Sequence, residues 1–419
     1  MSKDLTNKIL ITLGFLFAYR ILSYVPVPGV NVDVIKQFFD SNSNNALGMV
    51  NMFSGNAVSR LSIISLGIMP YITASIIMEL LAATFPSLAA MKKERDGMTK
   101  YMQIIRYATV GITLFQAMGV AMGLQSLGSG GNPAIMIDMS TFIPVAAVSM
   151  LAGTMMLMWI GEQITQRGIG NGISLIIFAG IVSGIPTAIG GTVNLINTGE
   201  LNFLAVIGMF AVVLLTIGAI IYVELGERRI PISYSRKTMM DNQNKKVMNY
   251  IPVKVNLSGV IPAIFASAIL MIPATLLSSA TNPALLAVKD ALTPGGYLFT
   301  ILMFLFVVFF AFFYASITFN AKDISENLKK QGGFIPGVRP GKSTAEFLNE
   351  VAGRLTTSGA IYLGLISTLP FLIIKSMGIP FYFGGVAVLI VVQVALDTMR
   401  KIEAQVYMNK YETLGNVGL

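Results

Sequence analysis

Gly67-Ile68-Met69-Pro70-Tyr71-Ile72-Thr73-Ala74-Ser75 is answered further along the chain by Gly259-Val260-Ile261-Pro262-Ala263-Ile264-Phe265-Ala266-Ser267. Both stretches read G-x-x-P-x-I-x-A-S, and both sit in long apolar runs. A helix needs roughly 20 largely apolar residues to cross about 30 Å of hydrocarbon, and only helices and closed barrels satisfy their backbone there. Continuous apolar runs, rather than alternation, select helices. Ten runs predict spans over residues 9–25, 61–85, 104–124, 142–161, 173–189, 203–224, 257–278, 298–319, 355–374 and 381–397. The two copies fall in the second and seventh, five spans apart. Five is odd, so a second half built like the first enters the membrane from the opposite side, and the pattern predicts an inverted repeat. The predicted fold is therefore an all-α integral membrane protein. Residues 1–195 form one five-helix half and 196–419 the other. Proline in each copy predicts a break or bend near the middle of its helix, as inverted-repeat proteins have where something crosses.

Composition agrees. The chain has 419 residues, of which 54% are apolar and 12% charged. Soluble domains carry about 25% charged residues. With no Cys and no His, a disulfide scaffold, a thiol nucleophile, a Ser-His-Asp triad and the usual zinc, haem or iron-sulfur ligation are excluded. The expectation is a protein that is no enzyme, with neither cofactor nor metal site. The net charge of +9 should gather on one side of the bilayer. It does: 24 of the 29 Lys and Arg fall at the termini and in alternate loops, four in the opposite loops, and Arg20 within a span. The positive-inside rule places both termini in the cytoplasm. The first run follows Lys3 and Lys8 as a signal peptide would. Arg20 within it, and the absence of a small-x-small site in Val25-Pro26-Val27-Pro28-Gly29, keep it as a span.

Charged residues inside spans are costly and usually mark ion or proton paths. Glu79, Glu162, Glu224 and Asp397 all fall in last turns before a cytoplasmic loop, and Arg20 can snorkel from an outer end. The midplane is left essentially uncharged, which argues against a proton relay. The broken helices carry isoleucine instead. Ile68 and Ile72 share one face of the second span, Ile177 and Ile181 one face of the fifth, and Ile264 sits on the seventh. On spacing alone these side chains fit lipid contact or packing as well as a pore lining. Between Pro28 and Arg60 the chain makes an external excursion. Its apolar stretch Leu47-Gly48-Met49-Val50-Asn51-Met52-Phe53 is too short to span, so it is either a surface helix or a re-entrant segment.

Two inside loops, about 225–256 and 320–354, are far longer than ordinary helix connections. The first carries Glu227-Arg228-Arg229-Ile230-Pro231 and Ser235-Arg236-Lys237, the second Gly337-Val338-Arg339-Pro340-Gly341. Gly and Pro shape exposed turns, and Arg offers a fork for carboxylate or phosphate. Attraction to anionic lipid competes here with docking of an acidic protein surface or RNA. Gly341-Lys342-Ser343 is no P-loop, since the first glycine of that motif would fall on Pro336. Gly168-Ile169-Gly170-Asn171-Gly172 lacks the dinucleotide spacing.

Taken in order, Pro26-Val27-Pro28-Gly29, Gly67-Ile68-Met69-Pro70-Tyr71-Ile72, Gly168 to Ser174, Gly226-Glu227-Arg228-Arg229, Val255-Asn256-Leu257-Ser258-Gly259-Val260-Ile261-Pro262, Gly337 to Gly341 and Tyr382-Phe383-Gly384-Gly385 resemble the SecY/Sec61 alpha family over nearly the whole chain. The resemblance implies a central pore between two inverted halves, a lateral gate between the second and seventh helices, and a plug near 46–58. It implies a pore ring of Ile68, Ile72, Ile177, Ile181, Ile264 and Ile390. Thr73 and Gln116 match two positions of a polar gate cluster, whose third is apolar here, at Met271 or Ile272. Arg228, Arg229, Arg236, Lys237 and Arg339 match a docking surface for the SecA motor ATPase and the ribosome. Other implied partners are SecE, SecG, SecDF, YidC, anionic lipids, and secretory and membrane protein precursors. The implied place is the bacterial plasma (inner) membrane. The implied function is a conduit for unfolded secretory polypeptides that releases apolar segments sideways into lipid. A secondary transporter for a small solute is the main rival, because five-plus-five inverted repeats with broken helices build those too.

Overall fold

The computed structural model describes residues 3–41, 51, 54–124, 133–199, 203–234, 249–276, 291, 296–377 and 385–417. The fold is mostly helical. In chain order the helices are α1 (Lys3–Leu22), α2 (Val32–Ser41), α3 (Met69–Thr84), α4 (Pro86–Lys93), α5 (Arg95–Leu124), α6 (Met139–Arg167) and α7 (Gly172–Asn197). They continue as α8 (Phe203–Leu225), α9 (Ile261–Leu276), α10 (Tyr297–Thr318), α11 (Ala321–Lys330), α12 (Lys342–Met377) and α13 (Gly385–Val417). Three strands, β1 (Glu227–Tyr234), β2 (Asn249–Lys254) and β3 (Gly333–Phe334), form one antiparallel sheet in the order β2-β1-β3.

Among the described residues six helices are long and apolar enough to cross a membrane, or seven if α3 and α4, bent 115° at Phe85, count as one broken span. They take in the first, third to sixth and eighth predicted stretches. The seventh is the shorter helix α9, and the ninth and tenth lie in the long helices α12 and α13.

The second stretch departs from expectation in an informative way. Residues 61–68 are apolar enough to read as helix, yet they form consecutive turns, and the helix starts only at Met69. Leu61 at φ 41° and Gly67 at φ 58° impose left-handed backbone that no helix contains. Such backbone survives away from water only where protein satisfies it. Here Val27 N–H donates to Leu61 O, Ile63 N–H to Val25 O, Ser62 N–H to Ala57 O and Gly67 N–H to Ile64 O. Helix α6 makes room for the crossing, because a Cβ on Gly153 would lie 2.0 Å from the Ile63 carbonyl oxygen. The prolines of the repeat also do something other than bend helices. Pro70 stands in the first turn of α3 and Pro262 is the second residue of α9, positions where proline costs no hydrogen bond and presets φ.

Three apolar clusters hold the molecule together. The largest joins α3, α5, α6, α7, α9, α10, α12 and α13 through side chains such as Ile72, Leu157, Ile181, Ala266, Met303, Leu363 and Leu389. A second, with Val27, Ile35, Leu61, Ala121 and Phe142, packs α2 and the irregular crossing against α5 and α6. The third lies in the two long segments that the sequence reading treats as loops. Ile230 and Val253 of the sheet, Ala321, Ile335 and Leu348 make a small core of their own. The Gly- and Pro-rich character of these segments conceals a hairpin, with Arg228 opposite Val253 and Ile230 opposite Ile251.

Gly153→Ala places a methyl group against backbone that has no rotamer to yield. It is expected to destabilise by about 1–3 kcal/mol, as overpacking does, read as a lower apparent melting temperature of purified protein. Gly14→Ala, with nothing within 4 Å of its added Cβ, is expected to leave that temperature unchanged.

Candidate functional site

The two repeat copies start helices in the same manner and deliver the same side chain to the same place. Gly67 and Gly259 are both left-handed, at φ 58° and 66°. Each precedes by three residues the proline of a first helical turn, and the sixth residue of each copy is an isoleucine, Ile72 or Ile264. Both side chains line one cavity, together with Ile68, Ile177 and Ile390. The remaining lining residues are Ser54, Leu66, Gly67, Met69 and Ser267, so no charged group faces the space.

A second pair of equivalents emerges from the helix starts. Ile177 is the sixth residue from Gly172, which opens α7, and Ile390 the sixth from Gly385, which opens the described part of α13. Helices α7 and α13 pack together, as do α3 and α9. Four helices thus meet at one level and offer one isoleucine each, with Ile68 added just ahead of α3.

Five of the six isoleucines expected to form a ring share this cavity. The sixth, Ile181, lies one turn further along α7 and is fully buried in the largest core cluster. The cavity leaves about 20 Å³ where the centre of a water molecule fits. That is room for about one water. A hydrated ion entering it would exchange its water shell for a lining that is aliphatic apart from Ser54 and Ser267 and carries no charge, a poor replacement.

The other predicted site residues fall as follows. Thr73 is on α3 and Gln116 on α5, helices that pack together. Thr73 donates its hydroxyl to the Met69 carbonyl of its own helix at 3.0 Å, and among the described residues the two side chains are not hydrogen-bonded to each other. Arg228 and Arg229 lie exposed on β1. Glu227 accepts from Arg229 Nε at 2.7 Å and, by that bond first, raises the guanidinium pKa; Tyr250 lies under it at 4.9 Å. Arg339 is exposed in the turn between β3 and α12, whose backbone is held by Thr344 Oγ1 donating to the Arg339 carbonyl and Ser325 Oγ to that of Gly341. The sheet and its small core unite Arg228, Arg229 and Arg339 in one folded unit. Arg236 and Lys237 lie outside the described residues, as does most of the predicted plug at 46–58; Asn51 and residues 54–58 are described.

Two features went unread in the sequence. Arg20 does not simply snorkel: its guanidinium reaches inward to the carbonyl of Gly55 and to Ser183. Asn256 pins the start of α9 to the end of α8. Its side-chain oxygen accepts from Gly259 N–H and Ser258 Oγ, while its Nδ2 donates to the buried carboxylate of Glu224 and to the Gly259 carbonyl. Arg400 of α13 adds a hydrogen bond to the Glu224 backbone carbonyl. The sequence signal was Asn-x-Ser-Gly just ahead of Ile-Pro, an Asn side chain able to cap the turn that opens a helix.

These elements define a helical membrane protein whose interior closes on an uncharged, aliphatic constriction at the meeting of four helix starts. Comparison with known proteins gives the family. The SecY family model matches residues 62–399. The chain is 69% identical, over all of both chains, to the protein translocase subunit SecY of Helicobacter pylori. It is 41% identical to that of Vibrio cholerae, over 98% of this chain and 94% of the relative. Among solved structures it resembles a protein-conducting channel with a TM-score of 0.68 at 17% identity, over 96% of this chain and 93% of that one. It also resembles Sec61 in the canine ribosome-channel complex from the endoplasmic reticulum, with a TM-score of 0.64 at 17% identity, over the same shares. At those identities the structural likeness shows the fold. The chain belongs to the SecY family. These comparisons give the small-solute transporter no support.

Removing the Asn256 amide strands a buried carboxylate, and a lost hydrogen bond to a charged group is worth about 1.5–3 kcal/mol. Asn256→Asp is expected to lower the apparent melting temperature sharply, because two carboxylates then meet. Adding Glu224→Gln to it should recover most of the loss, since the amide and the carboxylate have exchanged places. Equal melting temperatures for the single and double variants would contradict the pairing.

Proposed function

We infer that this chain is the pore-forming subunit of a protein-conducting channel, which moves unfolded secretory polypeptides across the membrane and releases apolar segments sideways into lipid. The observation that carries the reading is the convergence of isoleucines from four helices on one cavity without a charged lining residue, in a chain of the SecY family. A conduit for unfolded chains must pass side chains of every charge yet hold back ions. Branched aliphatic side chains bind no cargo strongly and solvate no ion. Fixed carboxylates at the waist would trap basic segments.

Helices α3 and α9 are in contact along one flank and form the lateral gate, with Thr73 and Gln116 behind it. An apolar segment in the pore then compares protein with lipid. Each central Leu, Ile, Phe or Val gains about 0.3–0.6 kcal/mol in the bilayer, whereas a central Lys, Arg or Asp costs about 2.5–3.5. Ten spans in two inverted halves, residues 1–195 and 196–419, surround the waist, and the ring includes Ile181. The matching helix starts of α3 with α9 and of α7 with α13 support that division.

The subunit sits in the bacterial inner membrane with both termini in the cytoplasm, as the distribution of Lys and Arg favours. It does no chemistry itself and takes its driving force from SecA, a translating ribosome or the membrane potential. SecE and SecG complete the channel, SecDF and YidC act with it, and anionic lipids bind its basic inner surface. Arg228, Arg229, Arg236, Lys237 and Arg339 dock SecA and the ribosome; the canine relative in its ribosome-channel complex supports the second of these partners.

Depletion of the chain in cells is expected to leave secretory precursors uncleaved in the cytoplasm, and normal export after depletion would refute the assignment. Ile72→Asn and Ile264→Asn are expected to raise ion leak through reconstituted vesicles in the absence of cargo. Leu215→Asn, on the outward face of α8, should not.

A further inference from the structure

Arg20 stands in a predicted membrane span, where a charged side chain demands an account. Among the described residues no carboxylate pairs with it. Its Nη1 donates to the Gly55 carbonyl at 2.9 Å and to Ser183 Oγ of α7 at 3.2 Å, and its Nη2 to the Tyr24 hydroxyl at 3.1 Å. The adjacent Tyr19 is 2% exposed and donates its hydroxyl to the Ser54 carbonyl at 3.2 Å. Two consecutive residues of α1 therefore grip two consecutive carbonyls of one irregular segment. Ser54 is also a lining residue of the isoleucine cavity.

The grip is close. Gly55 is left-handed at φ 69°, and a Cβ there would lie 2.9 Å from Tyr19 Oη, 3.1 Å from Gly180 Cα and 3.1 Å from Ser183 Oγ. Arg20 is also placed to let go. Its outer side rests on the Tyr24 ring, whose centroid lies 5.0 Å from the guanidinium carbon, and Arg60 stacks on the same ring at 4.1 Å. Tyr24 is half-exposed, so a guanidinium that releases Gly55 and Ser183 turns toward water without leaving a buried carboxylate behind. An ion pair in that place would have been far harder to open.

We propose that Tyr19 and Arg20, with Ser183 as anchor on α7, form a clasp on the Ser54 and Gly55 carbonyls whose strength sets how readily residues 54–58 leave the edge of the isoleucine cavity. Arg20 acts here as a positioning residue: it governs how readily the segment leaves, not what the channel carries. The proposal rests on the channel reading given above, and its test is chosen to separate the two.

The chain has no native cysteine, so Ala57→Cys introduces the sole thiol at a site that is fully buried. In spheroplasts a membrane-impermeant maleimide then reports how often the segment departs. Losing the hydrogen bonds of a charged donor predicts that Arg20→Leu labels about tenfold faster than the A57C parent, with Arg20→Lys in between. The pair Tyr19→Phe and Ser183→Ala, which deletes only hydroxyls, should also label faster and serves as the deciding variant if Arg20→Leu fails to accumulate. Labelling at the parent rate in these variants, with precursor transport intact, overturns the clasp. If depletion of the unsubstituted chain leaves precursor export normal while labelling still rises in the variants, the channel reading fails and the clasp stands.

Discussion

A backbone that leaves its helix inside hydrocarbon must find hydrogen-bond partners in protein, and this requirement organises the centre of the molecule. Residues 61–68 cross as turns, satisfied by the 25–27 and 57 backbone and covered by α5 and α6. Because they do, α3 starts deep inside, at Met69, with Ile68 just ahead of it and Ile72 in its first turn both lining the cavity. On the other side Asn256 performs the same service for α9, taking up the polar groups of residues 258 and 259 so that the helix can start beside the cavity and offer Ile264. The waist exists because helices begin there.

What those helices bring is aliphatic. Deep interiors that conduct ions or protons carry carboxylates, cations or rings of carbonyl groups. Here the charged residues near the spans are drawn to their ends: Glu162 is paired in both oxygens with Arg106 at 2.8 and 2.9 Å, and Glu224 is capped by Asn256. A separate folded unit, made of a three-stranded sheet with its own small core, presents Arg228, Arg229 and Arg339 on shaped backbone. The aliphatic cavity and the exposed arginines thus lie in different parts of the chain with opposite chemistry.

Much of this was legible in the sequence. The G-x-x-P-x-I-x-A-S repeat located the starts of α3 and α9, and five of the six expected isoleucines line one cavity. The resemblance supplied Ile390, which spacing alone did not reach. Composition failed where backbone conformation overrode it. Leu61 to Ile68 are as apolar as a helix, but Leu61 and Gly67 have positive φ, and the run is a crossing of turns. Pro70 and Pro262 looked like breaks within helices and are starts, because the preceding residues that distinguish the two are apolar in either case. The hairpin of β1 and β2 was hidden by its prolines, Pro252 opposite Arg229 and Pro231 opposite Tyr250, one position to either side of the pair Ile230 and Ile251. The contacts of Arg20 with Gly55 and Ser183, and of Asn256 with Glu224, were out of reach because those partners are distant in sequence.

The central claim is that the six isoleucines border the path of a polypeptide. Cysteines placed singly at positions 68, 72, 177, 181, 264 and 390 of this cysteine-free chain can be crosslinked to a secretory precursor stalled in transit. The account predicts adducts from these positions and none from outward-facing controls at Phe210 and Leu215. Thiols at the six positions that react with lipid-borne probes and never with the stalled chain would contradict it.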